Sequence, residues 1–185
     1  MINKRPVILN AKQLRQLTVN RVQVKVKKIK KNEIYIVLDN VLDTYNIGSI
    51  FRLADAVSAR KIYICGQSEV PPNHRIKKAS INTTEVVEWE YAESAIEAIH
   101  ELRTTNSELN VVAVEQSNKS VPYDEFDYQL PICLIVGHET DGVSKEALEI
   151  ADAIVELPMF GINKSLNVMV SLGIILYEVI KNIKT

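Results

Sequence analysis

Residues 131–148 read PICLIVGHETDGVSKEAL. The first seven, Pro131 to Gly137, carry no charge and no polar alternation, the pattern of a strand buried on both faces. A short glycine-bounded turn follows, and Ser144 then precedes Lys145, Glu146 and Ala147 as a helix N-cap. Val143 and Leu148 flank that cap at the two positions of a hydrophobic staple. An apolar strand, a glycine turn and a helix start form the repeating unit of a parallel α/β sheet, so this stretch decides the fold class.

The same alternation extends in both directions. EIYIVLD (33–39), KIYIC (61–65), EVVEW (85–89), NVVAVEQ (110–116) and AIVEL (153–157) read as further strands. Helices are predicted over 48–57, where Ile47, Ile50, Phe51 and Ala54 share one stripe, and over 92–103. Pro71-Pro72 opens a basic helical turn, NHRIKKAS, and residues 123–128 form an irregular acidic stretch. Ser165 is placed to cap a last helix reaching about Ile183 that is apolar nearly all round, the property of a central helix or one at a subunit contact. The expected architecture is a parallel sheet flanked by helices on both faces, with ligands at the carboxyl ends of its strands. That assigns the site to the loops starting at Asn40, Glu115, Gly137 and Pro158.

Composition bounds the function. The 185 residues suit one ordinary domain, and 46% hydrophobic with 24% charged residues is a globular balance. No signal-peptide pattern opens the chain. The longest apolar run, near 168–180, is broken by Ser171 and Glu178 and is too short to cross a bilayer. Cys65 and Cys133 lack metal-ligand spacing and read as buried, reduced thiols of a cytoplasmic protein, with no metal expected. The net charge of −1 hides a segregation: residues 1–32 hold ten Lys or Arg and no acid, whereas the rest holds twelve basic against twenty-three acidic residues. A basic arm on an acidic body suits a polyanionic partner. VQVKVKKIKK (22–31) reads equally as an edge strand whose lysines discourage edge pairing.

The turn VGHETDGVS (136–144) has the placement of a nucleotide-binding loop without its signatures. No second glycine completes the dinucleotide fingerprint, and Gly142 is followed by Val143 rather than by the lysine of a phosphate loop. Glu139 in the turn disfavours a phosphate and suits hydroxyls or a cationic group. His138 reads as a turn residue rather than a general base, because no second histidine or matching acid accompanies it; His74 and His100 read as surface residues. In LPMFGINKSLN (157–167), Ser165 and Asn167 stand at the first turn of the last helix, where unpaired amides favour an electron-rich ligand.

Together, DNVLDTYNIGSIFRLADA (39–56), LIVGHETDGVSKEAL (134–148) and LPMFGINKSLNV (157–168) resemble the three motifs of the SpoU-type (TrmH-like) RNA ribose 2′-O-methyltransferases of the SPOUT class, in order and spacing over residues 34–182. The resemblance implies a SPOUT fold, with a deep carboxyl-terminal trefoil knot in its α/β sheet, as residues 34–185 behind a basic extension, 1–33. It also implies a homodimer, S-adenosyl-L-methionine as cofactor, and a ribose 2′-hydroxyl of tRNA or rRNA as substrate. Asn46, Arg52, Glu139, Ser165 and Asn167 match the family's catalytic motif residues, and Val114, Gly137, Leu157 and Leu166 fall where knot backbone holds the cofactor. The basic arm (Lys25, Lys27, Lys28, Lys30, Lys31) and the turn bearing Arg75, Lys77 and Lys78 would contact RNA phosphates. Met169 departs from the family, which usually has serine there, so altered packing is expected. The alternatives are a non-catalytic RNA-binding or assembly factor on the same scaffold, or a small-molecule nucleotide enzyme.

Overall fold

The computed structural model describes residues 10–14 and 30–183. Its strands are β1 (Asn32–Asp39), β2 (Ala59–Cys65), β3 (Trp89–Ala92), β4 (Asn110–Val114), β5 (Val121–Pro122), β6 (Ile132–Gly137) and β7 (Ala153–Glu156). They form one sheet in the order β3-β2-β1-β6-β4-β7-β5, every pair parallel. The helices are α1 (Thr44–Ala56), α2 (His74–Ser80), α3 (Ala95–Thr105), α4 (Lys145–Ile150) and α5 (Val168–Ile183). The uncharged strand β6 is buried along its whole length and lies between β1 and β4.

Two apolar layers sandwich the sheet. Ile47, Ile50, Phe51 and Ala54 of α1, Ile76 of α2 and Leu172, Ile175, Leu176 and Val179 of α5 pack on one face. Ala95, Ala98, Ile99 and Leu102 of α3 and Ala147 of α4 cover the other. The predicted stripe of α1 is therefore its core face. Val143 and Leu148 both belong to the second layer, while Ser144 Oγ accepts the Ala147 N–H at 3.4 Å, as the cap requires. Burial pushes the Cys65 thiol up to about 12, with the charges of Asp39 and Glu97 adding to it, so it stays a neutral apolar group.

Several boundaries differ from those read in sequence. Helix α1 starts at Thr44 rather than Gly48, because Asp43 caps it by accepting the Tyr45 N–H at 2.7 Å. Strand β3 starts at Trp89 rather than Glu85. The Thr83 carbonyl accepts the N–H groups of Val86 and Val87 at 3.1 and 2.9 Å, and this turn buries Val87 without any strand pairing. Helix α3 starts at Ala95 rather than Ala92, since Ser94 accepts the Glu97 N–H and Glu97 reaches back to the Glu93 N–H. Helix α5 is capped by Asn167 and not by Ser165: Asn167 Oδ1 accepts the Met169 N–H at 3.0 Å and its carbonyl accepts the Ser171 N–H at 2.9 Å. The two-residue strand β5, paired with β7, has no counterpart in the sequence reading.

Residues 11–18 read in sequence as a short helix before the basic strand, and of these, residues 11–14 form one helical turn, closed by the Leu14 N–H on the Asn10 carbonyl at 2.9 Å. The remainder of that helix and the basic strand up to residue 29, with Lys25, Lys27 and Lys28, lie outside the described residues.

One contact fixes α2 against the motif-bearing helix α1. A Cβ on Gly48 would sit 2.6 Å from both the Ala79 Cβ and the Ile76 carbonyl oxygen, so only glycine lets α2 close on α1. Gly48→Ala is therefore expected to destabilise the protein by roughly 1–3 kcal/mol, as overpacking does, measured as a lower urea midpoint at unchanged slope.

Candidate active site

Strands β1, β6, β4 and β7 are neighbours in the sheet, so the four loops at their carboxyl ends converge. Three of them, those after β4, β6 and β7, bound a cavity of about 420 Å³, within the range of small-molecule sites. Val114, Gly137, Leu157 and Leu166, the four positions expected to hold a cofactor, all line it, as do Glu139, Ser165 and Asn167. The lining also includes four carboxylates, those of Glu115, Glu139, Asp141 and Glu156, and, among the described residues, no lysine or arginine. Such a wall repels a phosphate and attracts a cation, while its apolar floor accepts a flat ring. A nucleoside bearing a sulfonium and an ammonium group fits this donor set; a nucleoside triphosphate does not.

Glu139 organises the mouth of the cavity. Its Oε2 accepts the Leu42 N–H at 3.1 Å, and its Oε1 accepts both the Asp43 N–H at 3.0 Å and the Asn46 Nδ2 at 2.9 Å. A carboxylate only accepts, so Asn46 must turn its NH₂ toward Glu139 and leave its Oδ1 facing Asn167. Asn167 Nδ2 donates to that oxygen at 3.0 Å, which leaves Asn167 Oδ1 for the Met169 N–H that starts α5. Hydrogen-bond polarity thus runs in one direction through all three motifs. Burial pushes the Glu139 carboxyl up, but the bonds from Asn46, Asp43 and Leu42 outweigh it and hold the group below its ordinary 4.5.

The turn carrying Glu139 is closed by paired backbone bonds between His138 and Gly142 at 3.0 and 2.9 Å. His138 Nδ1 accepts the N–H groups of Thr140 and Asp141, both at 3.1 Å, which makes it a turn residue, as its sequence context indicated. A Cβ on Gly137 would lie 2.1 Å from the Gly142 carbonyl, so the strand can end in this turn only at a glycine. Gly142 adopts a φ of +73° beside the Glu115 carboxylate. That carboxylate accepts the Val143 N–H at 2.9 Å, and buried Asp39 accepts the Ser144 N–H at 2.8 Å. Sequence reading missed Glu115, Gln116 and Asp39 as site residues. The only signal was their position as the last strand residue or the first loop residues at carboxyl ends.

The structure does not bring Arg52 to this network. Six residues after Asn46, it lies on the exposed side of α1, whereas Asn46 is buried. No side-chain partner engages it among the described residues. Arg75, Lys77 and Lys78 are exposed on α2, Lys30 is exposed and Lys31 half-buried just before β1. Met169 is half-buried against the core, and Ser171, one half-turn on, supplies a hydroxyl to the cavity wall.

A model of the SpoU rRNA Methylase family matches residues 33–177. The tRNA (guanosine(18)-2′-O)-methyltransferase of Aquifex aeolicus strain VF5 is 36% identical over 153 residues, covering 80% of this chain and 69% of that one. Its counterpart from Escherichia coli strain K12 is 28% identical over 152 residues, covering 80% and 63%. An AdoMet-bound rRNA methyltransferase from Sinorhizobium meliloti superposes with a TM-score of 0.75 at 30% identity, covering 82% of this chain and 57% of that one. The chain thus spans 57 to 69% of the length of these three proteins.

The depressed Glu139 carboxyl carries a pH signature. A group held below 4.5 stabilises the fold above that pH and loses its contribution as pH falls through the lowered value. Glu139→Gln should cost about 1 kcal/mol at neutral pH, a figure kept small by solvent access. It should also flatten the decline in stability below 4.5. Urea unfolding of both proteins across the acid range measures this.

Proposed function

The chain belongs to the SpoU rRNA methylase family, and from that membership we propose that it is an S-adenosyl-L-methionine-dependent methyltransferase acting on a ribose 2′-hydroxyl of tRNA or rRNA. The observation that carries the proposal is the bonded series Glu139–Asn46–Asn167 at the mouth of a carboxylate-lined cavity. A non-catalytic binding protein has no need of that alignment.

Backbone and apolar side chains of Val114, Gly137, Leu157 and Leu166 would hold the cofactor, and the cavity carboxylates favour its positive charge. When bound, it supplies an electrophilic methyl group on a sulfonium. The chain's own task is to present the 2′-hydroxyl in line and to stabilise the alkoxide that develops. Arg52 is suited to grip the adjoining phosphate with its fork of donors and to offset that charge. Its pKa, above ~12, makes it a poor base, so the proton passes to a phosphate oxygen or water. Asn46, with its amide direction set by Glu139, orients the reacting nucleotide together with Asn167, while Ser165 adds a hydroxyl at the cavity edge. Glu139 acts through Asn46 and is a positioning residue.

Residues 34–185 are read as the methyltransferase domain, with the deep knot at its carboxyl end, and 1–33 as a basic arm holding RNA in the cytoplasm. A homodimer is supported by unusual apolar exposure. Phe160 is 96% and Ile162 104% exposed, and Val170, Ile174 and Tyr177 form an exposed stripe at i, i+4 and i+7 on α5. A second copy would cover this face and bring the two sites near the contact.

Incubation with labelled S-adenosylmethionine and, separately, unmodified tRNA or rRNA, followed by digestion to nucleosides, tests the reaction. A labelled 2′-O-methyl nucleoside is expected, with Arg52→Ala at least about 100-fold slower. Absence of label from both pools would count against the proposal. Lys77→Ala with Lys78→Ala should weaken RNA binding and reduce the log–log salt slope by roughly one to two. Ile174→Asp should shift the protein to monomer in light scattering.

A further inference from the structure

The loop between β7 and α5 carries five of the cavity-lining residues, yet little else in the chain holds it. Phe160 and Ile162 are fully exposed, and nothing lies within 4 Å of a Cβ built on Gly161. Among the described residues, one hydrogen bond reaches residues 157–166: Gln116 Nε2 donates to the Lys164 carbonyl at 2.6 Å. The base of that bond is itself fixed. Glu115 Oε1 accepts the Gln116 N–H at 2.8 Å, and Glu115 Oε2 accepts the Val143 N–H at 2.9 Å behind the glycine turn. Two consecutive residues leaving β4 therefore tie together the other two walls of the cavity.

We propose that Glu115 and Gln116 are cofactor-positioning residues: Gln116 latches the 157–166 loop over the bound cofactor, and Glu115 anchors both the latch and the glycine turn. This rests on the cavity being the S-adenosylmethionine site. A single exposed amide–carbonyl bond is weak enough to open thermally and strong enough to bias the loop toward the closed position. Cofactor enters and leaves while the latch is open, and its residence is set by how rarely it opens. Neither residue touches the reacting hydroxyl, so the chemical step is unaffected once the cavity is closed.

The test compares the full chain with Gln116→Ala and Gln116→Glu. Glutamate keeps the shape of glutamine but has only acceptors, so it cannot donate to the Lys164 carbonyl. Calorimetry with S-adenosylmethionine should show both variants binding roughly 5-fold more weakly, equivalent to about 1 kcal/mol. Stopped-flow should assign the change to faster release rather than slower entry. The KM for S-adenosylmethionine should rise in parallel, with kcat within about two-fold and the melting temperature and RNA affinity unchanged. Glu115→Gln, which keeps one acceptor oxygen, should weaken binding by a similar factor. Wild-type affinity in both Gln116 variants, with wild-type protein binding the cofactor normally, would overturn the latch alone. Affinity lost only alongside melting temperature or dimer mass would reduce Gln116 to a structural role and also overturn it. Failure of wild-type protein to bind S-adenosylmethionine would instead overturn the cavity assignment and the latch with it.

Discussion

One carboxylate carries the geometry of the site. Glu139 sits in a turn after β6, and three donors from the loop and helix after β1 converge on it. Those two strands are paired from Ile34 with Ile132 to Asp39 with Gly137, so their loops emerge side by side. Without an acceptor there, the Leu42 and Asp43 N–H groups and the Asn46 amide would have to find water, and Asn46 is almost fully buried. Because the acceptor is a carboxylate, it also sets the direction of every later bond. Asn46 is forced to accept from Asn167, and Asn167 to cap α5. A side chain that could either donate or accept would leave that direction open.

Among the described residues, charge is separated in space around the cavity. The cavity wall carries four carboxylates and, among the described residues, no lysine or arginine, while exposed basic side chains lie on α2 and before β1. Such a separation would draw a polyanion to one part of the surface and disfavour its entry into the cavity.

Helix α1 links the two regions. Asn46 faces the Glu139 turn, Gly48 admits α2 within van der Waals contact, and Arg52 projects to the outer side. The Asn-x-Gly spacing, uninformative as a short motif, has a physical meaning here. One residue is set by polarity and the other by lack of room, and any RNA-contacting side chain on α2 is held rigidly to the helix that bears Asn46.

Residue patterning alone determined the parallel α/β class, the core stripe of α1, the Ser144 cap, and three loops, those starting at Glu115, Gly137 and Pro158, that line the cavity. These follow from local properties: an uncharged run, a 3.6-residue period, a cap and a glycine each act over a few positions. Tertiary structure decided which loops are neighbours. β6 enters the sheet between β1 and β4, and only that insertion brings Glu139 to Asn46, 93 residues away, and Asn46 to Asn167, 121 residues away. It also decided that Asn167 rather than Ser165 caps α5, and that Glu115 and Gln116 belong to the site. Nothing within a few residues of either side chain specifies a partner, because a hydrogen bond between distant segments depends on strand order, which no local pattern encodes.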